Sequence, residues 1–214
     1  MIKNKAIIFD LDGVICHTDE FHFKAWKRIS DENNLKFDRT LNEKLKGVSR
    51  LDCYNIILDE NNKQQTEEEK LKTIDIKNNY YRESLNSMDT SYLSRDVSDT
   101  LNKLREKEYP LAIGSSSKNA KFILEKIGLQ TFFDAISDGN DIKYSKPNPQ
   151  VFQIAAGKLK MDPKNCFVVE DAFSGVQAGL NAEMKVFAYN QNETNFNNPD
   201  VVKINKISDL LNFF

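Results

Sequence analysis

Short, wholly apolar runs recur along the second half of this chain, and each is followed by an amphipathic helical pattern. Such runs suit strands buried on both faces, and strands alternating with helices imply a parallel sheet with helices packed against it. Residues 110–113 form one run. The pattern after it, through Phe122, Leu124 and Ile127, stops at Gly128, a residue suited to the position just past a helix end. Residues 132–136 make a shorter strand candidate. Asn148 and Pro149 read as the N-cap and first-turn proline of a helix through Phe152, Ala155 and Leu159. Residues 166–169 and 185–189 bracket a helix starting near Ser174. With a first apolar run at residues 6–9, the alternation predicts an α/β fold built on a doubly wound, Rossmann-like parallel sheet.

The first half reads differently. No proline precedes Pro110, and the only glycines before it are Gly13 and Gly47. Apolar residues recur at helical spacing in three sets: Phe23, Trp26 and Ile29; Tyr54, Ile57 and Leu58; Leu71, Ile74, Tyr81 and Leu85. The strongly polar stretch 61–72 reads as a solvated turn leading into a helix. Residues 16–88 are therefore expected to form a helical cap inserted after the first strand. The α/β core would comprise residues 1–15 and 89–214.

Charge and cysteine content narrow the function. Lys and Arg number 30 against 32 Asp and Glu, so the near balance gives no basic face for nucleic acid. The apolar run at 6–9 is too short for a signal peptide, and no stretch is long enough to span a membrane. Cys16, Cys53 and Cys166 fit no zinc spacing and cannot all pair, so a reducing cytoplasm is the expected setting.

Four polar clusters each follow an expected strand. Asp10-Leu11-Asp12-Gly13 places two carboxylates one residue apart, able to act as nucleophile and proton carrier and to attract a hard cation. Read alone, the same residues fit an ordinary Asp-Gly turn. Ser115-Ser116-Ser117-Lys118-Asn119 offers hydroxyls and N–H groups at a helix start, which suits an anion and equally a plain N-cap. Ser145-Lys146-Pro147 holds a stiffly placed cation or a surface lysine. Glu170-Asp171 ends a wholly apolar strand, where acids are expensive without a positive partner, and a metal is the natural one.

The order of the clusters says more than any one of them: acid pair, hydroxyl with helix start, lysine, acid pair. In this order they resemble the four motifs of the haloacid dehalogenase superfamily across essentially the whole chain. The resemblance implies that Asp10 becomes a phosphoaspartate and that Asp12 is the general acid–base, its backbone carbonyl on Mg2+. It implies that Ser115 and Lys146 hold the transferring phosphoryl group, and that Glu170 and Asp171 complete the metal site with Asp10.

The helical segment carries Thr18, His22 and Trp26, then Lys46-Gly47-Val48-Ser49-Arg50, and later Lys77. This set resembles the beta-phosphoglucomutase family, which interconverts beta-glucose 1-phosphate and glucose 6-phosphate through a 1,6-bisphosphate. The resemblance implies that Arg50 clamps the phosphate not being transferred, that His22 helps bring Asp12 into line, and that Ser116, Lys118 and Asn119 also bind substrate. Each has a plainer reading: Trp26 as helix core, His22 as a surface or core histidine, Gly47 as a helix stop. Cys53 stands where that family commonly has a serine, and His17 where an acid is usual. The expected partner is a small sugar phosphate, with no nucleic acid or membrane, and the chain is expected to be a monomer. A sugar-phosphate or phosphoglycolate-type phosphatase is the alternative, and a silent binding homologue is a third.

Overall fold

The computed structural model describes residues 4–45, 48–190 and 196–214. The chain divides into two compact units, one of residues 1–17 with 89–214 and one of residues 18–88.

The first unit is built on six parallel strands: β1 (Ala6–Phe9), β2 (Leu111–Gly114), β3 (Ala135–Ser137), β4 (Cys166–Glu170), β5 (Lys185–Tyr189) and β6 (Val201–Ile204). Their order is β3-β2-β1-β4-β5-β6, so the winding reverses at β1, which pairs with β2 on one side and β4 on the other. Such a reversal opens a crevice beyond the carboxyl ends of the strands, where open α/β sheets bind ligands. The register sets those ends level, because Phe9 pairs with both Ile113 and Val169. Every residue of β1 and β2 is buried, so both faces of the sheet are covered, as their continuous apolar sequence requires. One face packs Ile8, Ala112 and Val168 against Phe152, Ala155 and Val176. Phe152 and Ala155 belong to helix α7 (Gln150–Leu159) and Val176 to helix α8 (Phe173–Asn181).

The second unit holds α1 (Asp19–Glu32), α2 (Arg39–Glu43), α3 (Arg50–Glu60) and α4 (Glu67–Leu85). Its core joins Trp26, Ile29, Tyr54, Ile57 and Ile74. Ser49 caps α3, its hydroxyl accepting from the Asp52 N–H. A reciprocal capping box between Thr66 and Glu69 starts α4. Back in the first unit come α5 (Arg95–Glu106) and α6 (Ala120–Lys126). Gly128, at φ 77°, ends α6: its N–H bonds the Glu125 carbonyl at 3.1 Å, and the Leu129 N–H bonds the Leu124 carbonyl at 2.7 Å. That pair of bonds is a Schellman motif, and glycine takes the left-handed conformation without strain.

Several expectations from the sequence need correction. The capping box starts α4 at Glu67, so the solvated turn ends there and residues 67–72 are helical. Leu71 is 52% exposed, since the buried stripe of α4 runs through Thr73, Lys77, Tyr81 and Leu85 at four-residue spacing. The third strand is 135–137 rather than 132–136, because the N–H of Phe132 turns back to Leu129. Pro149 is the N-cap rather than the first helical residue of α7, and Asn148 supports it through Oδ1, which accepts from the Gln150 N–H at 3.1 Å. Neither α5 nor β6 was anticipated. Helix α5 has a Ser94 cap and a Val97, Leu101, Leu104 stripe, but the four residues of β6 include exposed Lys203 and give little periodic signal.

Candidate active site

Asp10 is the first residue past β1, and its N–H extends the ladder to the Val169 carbonyl at 2.9 Å. Glu170 ends β4, with Asp171 next. Ligand oxygens of Asp10, Glu170 and Asp171 all lie within 4.8 Å of one another. Lys146 reaches the same point, pairing with Asp10 Oδ1 and, at 2.6 Å, with Glu170 Oε1. Its ammonium also lies 4.8 Å from the centre of the Phe152 ring.

Two glycines make room for this crowd. A Cβ on Gly175 would fall 1.8 Å from Glu170 Oε1, and one on Gly13 would fall 2.0 Å from Asp171 Oδ2. Gly13 is at φ 94°, so any side chain there would be both strained and blocked by the carboxylate. The carboxylates therefore occupy the volume a side chain would need. Gly13 was read from the sequence only as a turn residue, and Gly175 was not singled out. The signal available for it was a glycine five residues past the strand-ending acid.

The electrostatics are unbalanced toward negative charge. Burial drives the Asp171 carboxyl up to about 8, with Glu170 and Asp10 adding to the rise and Lys146 opposing it. Burial likewise raises Glu170, against the pull of Lys146. Burial would lower Lys146, but Asp10 and Glu170 together raise it, so it stays an ammonium. The Cys16 thiol is pushed up by burial and by Asp12 and Asp10, which keeps it protonated and inert. Three clustered carboxylates against one lysine suit a further cation, and oxygen-only donors suit a hard divalent ion such as Mg2+. Asp12 is not part of that cluster; its backbone pairs with Cys16 in a tight loop.

Ser115 follows β2 and is buried, its Oγ accepting from the Ser117 N–H at 3.1 Å. The Ser116 hydroxyl is buried, with no hydrogen-bond partner among the described residues. Asn119 is buried, and its N–H donates to Ser117 Oγ at 3.2 Å, while Lys118 is exposed.

Within the helical unit, Lys77 is only 2% exposed. Its ammonium lies 4.5 Å from the centre of Trp26, 5.1 Å from that of Tyr81, and 2.9 Å from His22 Nδ1. An ammonium only donates, so Nδ1 accepts and His22 carries its proton on Nε2. Burial, Lys77 and Arg50 hold the imidazole well below its ordinary value, and so neutral. Its ring packs 4.0 Å from Tyr81. Arg50 is lowered by burial, an effect Asp75 partly offsets. Trp26 stacks on Tyr54 with rings 6.1 Å apart, so it serves the helical core as well as facing Lys77. Thr18 stands at the N-cap position of α1 without a side-chain capping bond and is buried, Val48 is 37% exposed, and Ser49 is committed to capping α3. Lys46 and Gly47 lie outside the described residues. The pairing of Lys77 with His22, 55 positions apart, had no local sequence signal.

Residues 7–189 match the haloacid dehalogenase-like hydrolase family. The beta-phosphoglucomutase of Bacillus subtilis (strain 168) is 36% identical over 182 residues, which cover 84% of this chain and 80% of that protein. A fructose-1-phosphate phosphatase of Escherichia coli (strain K12) is 29% identical over 84% of this chain and 93% of its own. Among solved structures, a beta-phosphoglucomutase from Clostridium difficile superposes with a TM-score of 0.86 at 32% identity, covering 98% of this chain and 93% of that one. Strand order, acid cluster and sequence similarity thus agree, and the chain belongs to the haloacid dehalogenase-like hydrolase family.

Proposed function

We propose that the chain is a beta-phosphoglucomutase that uses Asp10 as a covalent phosphoryl acceptor. The observation that carries the reading is the carboxylate cluster at the ends of β1 and β4, clamped by Lys146. The likeness to two beta-phosphoglucomutases over most of the chain supports the mutase assignment.

Phosphoryl transfer asks mainly for positioning and charge neutralisation, because two anions must meet. The phosphoryl group on Asp10 passes to the 6-hydroxyl of beta-glucose 1-phosphate while Asp12 takes the hydroxyl proton, giving the 1,6-bisphosphate. The bisphosphate then presents its other end. Asp10 takes the phosphoryl group from the 1-position, and Asp12 returns the proton to the leaving sugar oxygen. Glucose 6-phosphate leaves and Asp10 is phosphorylated again. Lys146 and Ser115 hold the oxygens of the moving group. Asp10, Glu170 and Asp171, with the Asp12 carbonyl, would hold a magnesium ion, which would supply further positive charge at the transferring group. Arg50 grips the phosphate that is not transferred, where a guanidinium fork donates two parallel bonds. Lys77, His22, Thr18 and Trp26 support the sugar end, with Ser116, Lys118 and Asn119.

A sugar-phosphate phosphatase is the second reading, favoured by the similarity to the fructose-1-phosphate phosphatase. Arg50 separates the two. Charge-assisted hydrogen bonds are worth about 1.5–3 kcal/mol each, so Arg50→Ala should slow sugar-phosphate turnover roughly 10^2-fold. Phosphorylation of Asp10 by acetyl phosphate, which has no second phosphate, should change far less. Product analysis with beta-glucose 1-phosphate, with and without bisphosphate, should give glucose 6-phosphate with little inorganic phosphate. Stoichiometric phosphate release, or no selective loss in Arg50→Ala, would favour the phosphatase.

A further inference from the structure

The loop after β2 is held in place by a second loop, after β3, to which the reaction above gives no part. Ser115 donates its N–H to the Ser137 carbonyl at 3.0 Å, and Gly139 donates its N–H to the Ser117 carbonyl at 3.1 Å. Asn140 donates from Nδ2 to the Lys118 carbonyl at 3.0 Å. Gly139 is pressed against the first loop. A Cβ there would fall 2.4 Å from the Ser116 carbonyl oxygen and 2.8 Å from the Lys118 nitrogen. Both atoms are main chain, so neither can swing aside as a side chain would.

The second loop is itself braced from behind. Asp138 is fully buried, and its Oδ1 accepts from the Asn140 N–H at 2.8 Å and from Asn140 Nδ2 at 3.1 Å. The Asp138 N–H donates to Asp141 Oδ2 at 3.1 Å. Lys158, on α7, donates to that same oxygen at 2.7 Å and to the Ile136 carbonyl at 2.7 Å. A line of hydrogen bonds therefore runs from α7 through Asp141, Asp138 and Asn140 to the carbonyl of Lys118. Asn140 is suited to its place because its amide nitrogen faces two acceptors, which a carboxylate cannot do.

We propose that Gly139 and Asn140 are positioning residues for the substrate, acting through the main chain of residues 116–118. They set the stance from which the Ser116 hydroxyl and the Lys118 ammonium meet the phosphorylated sugar. The proposal rests on the reading of Ser116 and Lys118 as substrate-binding residues. An exposed lysine gains useful direction only from where its backbone is fixed, and losing a contact made equally to substrate and transition state raises KM and leaves kcat.

The test measures KM and kcat for beta-glucose 1-phosphate, the rate of Asp10 phosphorylation by acetyl phosphate, and the melting temperature. Gly139→Ala should raise KM at least about tenfold, and Asn140→Asp about three- to fivefold. In both, kcat and the acetyl phosphate rate should stay within about twofold of the parent. Asn140→Asp carries the test if Gly139→Ala fails to fold. In a Lys118→Ala background, Asn140→Asp should add less than about twofold, because coupled residues are not additive. If Lys118→Ala raises KM while neither loop variant does, the positioning role is overturned and the substrate-binding reading stands. If neither Ser116→Ala nor Lys118→Ala raises KM, that reading falls and the role of Gly139 and Asn140 with it. Equal losses on the sugar phosphate and on acetyl phosphate would make the loop a structural support only, and would also overturn the proposal.

Discussion

Lys146 and Lys77 are both almost wholly buried, yet the two units hold them by opposite means. In the α/β unit Lys146 sits among carboxylates, and negative charge outnumbers it. In the helical unit Lys77 lies against the faces of Trp26 and Tyr81 and donates to a neutral imidazole. In the first arrangement Lys146 and its two partner carboxylates favour one another's charge, while burial and the crowding of acids push the Asp171 carboxyl up. The second is a cation stored among rings, close to a neutral histidine and a partly desolvated Arg50. An excess of acid awaits a cation, and an accumulation of positive charge suits an anionic substrate. The contrast makes the two lysines respond differently to the same substitution.

The largest effect is expected from Lys146→Met. It removes the partner of two buried carboxylates, and breaking a buried pair typically costs about 3–5 kcal/mol. For a chain of this size that is a fall in melting temperature of roughly 10 °C in chelator. The fall should be smaller at pH 5.5 than at pH 8, because Glu170, which burial already raises, can neutralise itself by taking up a proton. Turnover should drop beyond about 10^3-fold, since the transferring group loses its fixed cation. A melting temperature unchanged in chelator at pH 8 would show that Lys146 does not balance the cluster.

Lys77→Met should do much less to stability. Burying an ammonium costs several kcal/mol, while each desolvated ring face returns about 2 kcal/mol and the charged hydrogen bond to His22 about 1.5–3 kcal/mol. These nearly cancel, so an apolar side chain of similar length should leave the melting temperature within about 3 °C of the parent. Activity toward the sugar phosphate should nonetheless fall about tenfold or more, because His22 loses the donor that fixes its tautomer. Thermal melting beside steady-state kinetics makes the check. A drop in stability as large as that of Lys146→Met would erase the distinction between the units.

The same contrast explains what could be read from the sequence. Glu170 and Asp171 at the end of Cys166–Val169 conflict with their surroundings, as do Asp10 and Asp12 after β1, and an acid closing an apolar strand is visible in one dimension. The parallel sheet was legible for the same reason, since its strands are short unbroken apolar runs. Lys77 gave no such signal of its own and entered only through the resemblance, because a lysine beside Ile76 and Asn78 on a largely polar helix looks solvated until α1 and α4 pack and bring His22 to it. Leu71 misled in the reverse sense, since one apolar residue in register does not fix which way a stripe faces. Gly139 and Asn140 were silent because their hydrogen bonds to the loop after β2 are to main-chain atoms 22 residues away, and backbone partners leave no mark on residue type.

The smallest effect, and the one that most sharpens the account of the acidic cluster, concerns Asp171. Its carboxyl is raised to about 8 in the folded chain, mainly by burial and then by Glu170 and Asp10, from an ordinary value near 3.9. The folded state therefore holds this proton more tightly than the unfolded state. Stability from the protonated group is complete below about pH 4, drains away as pH rises toward 8, and is gone above it. Asp171→Asn cannot ionise and escapes that loss. In chelator the substitution should raise the melting temperature only slightly at pH 5, where the loss has just begun, and by several degrees at pH 8. Magnesium in excess should reverse the order at pH 8. A bound cation stabilises the folded parent in proportion to its occupancy, and the variant has lost a charged ligand for it. Melting curves at the two pH values, each with chelator and with magnesium, give four comparisons. An advantage for Asp171→Asn that is equal at pH 5 and pH 8 would mean that the aspartate is not held protonated by its neighbours. An advantage that survives excess magnesium would remove Asp171 from the metal site and leave Asp10 and Glu170 to hold the ion.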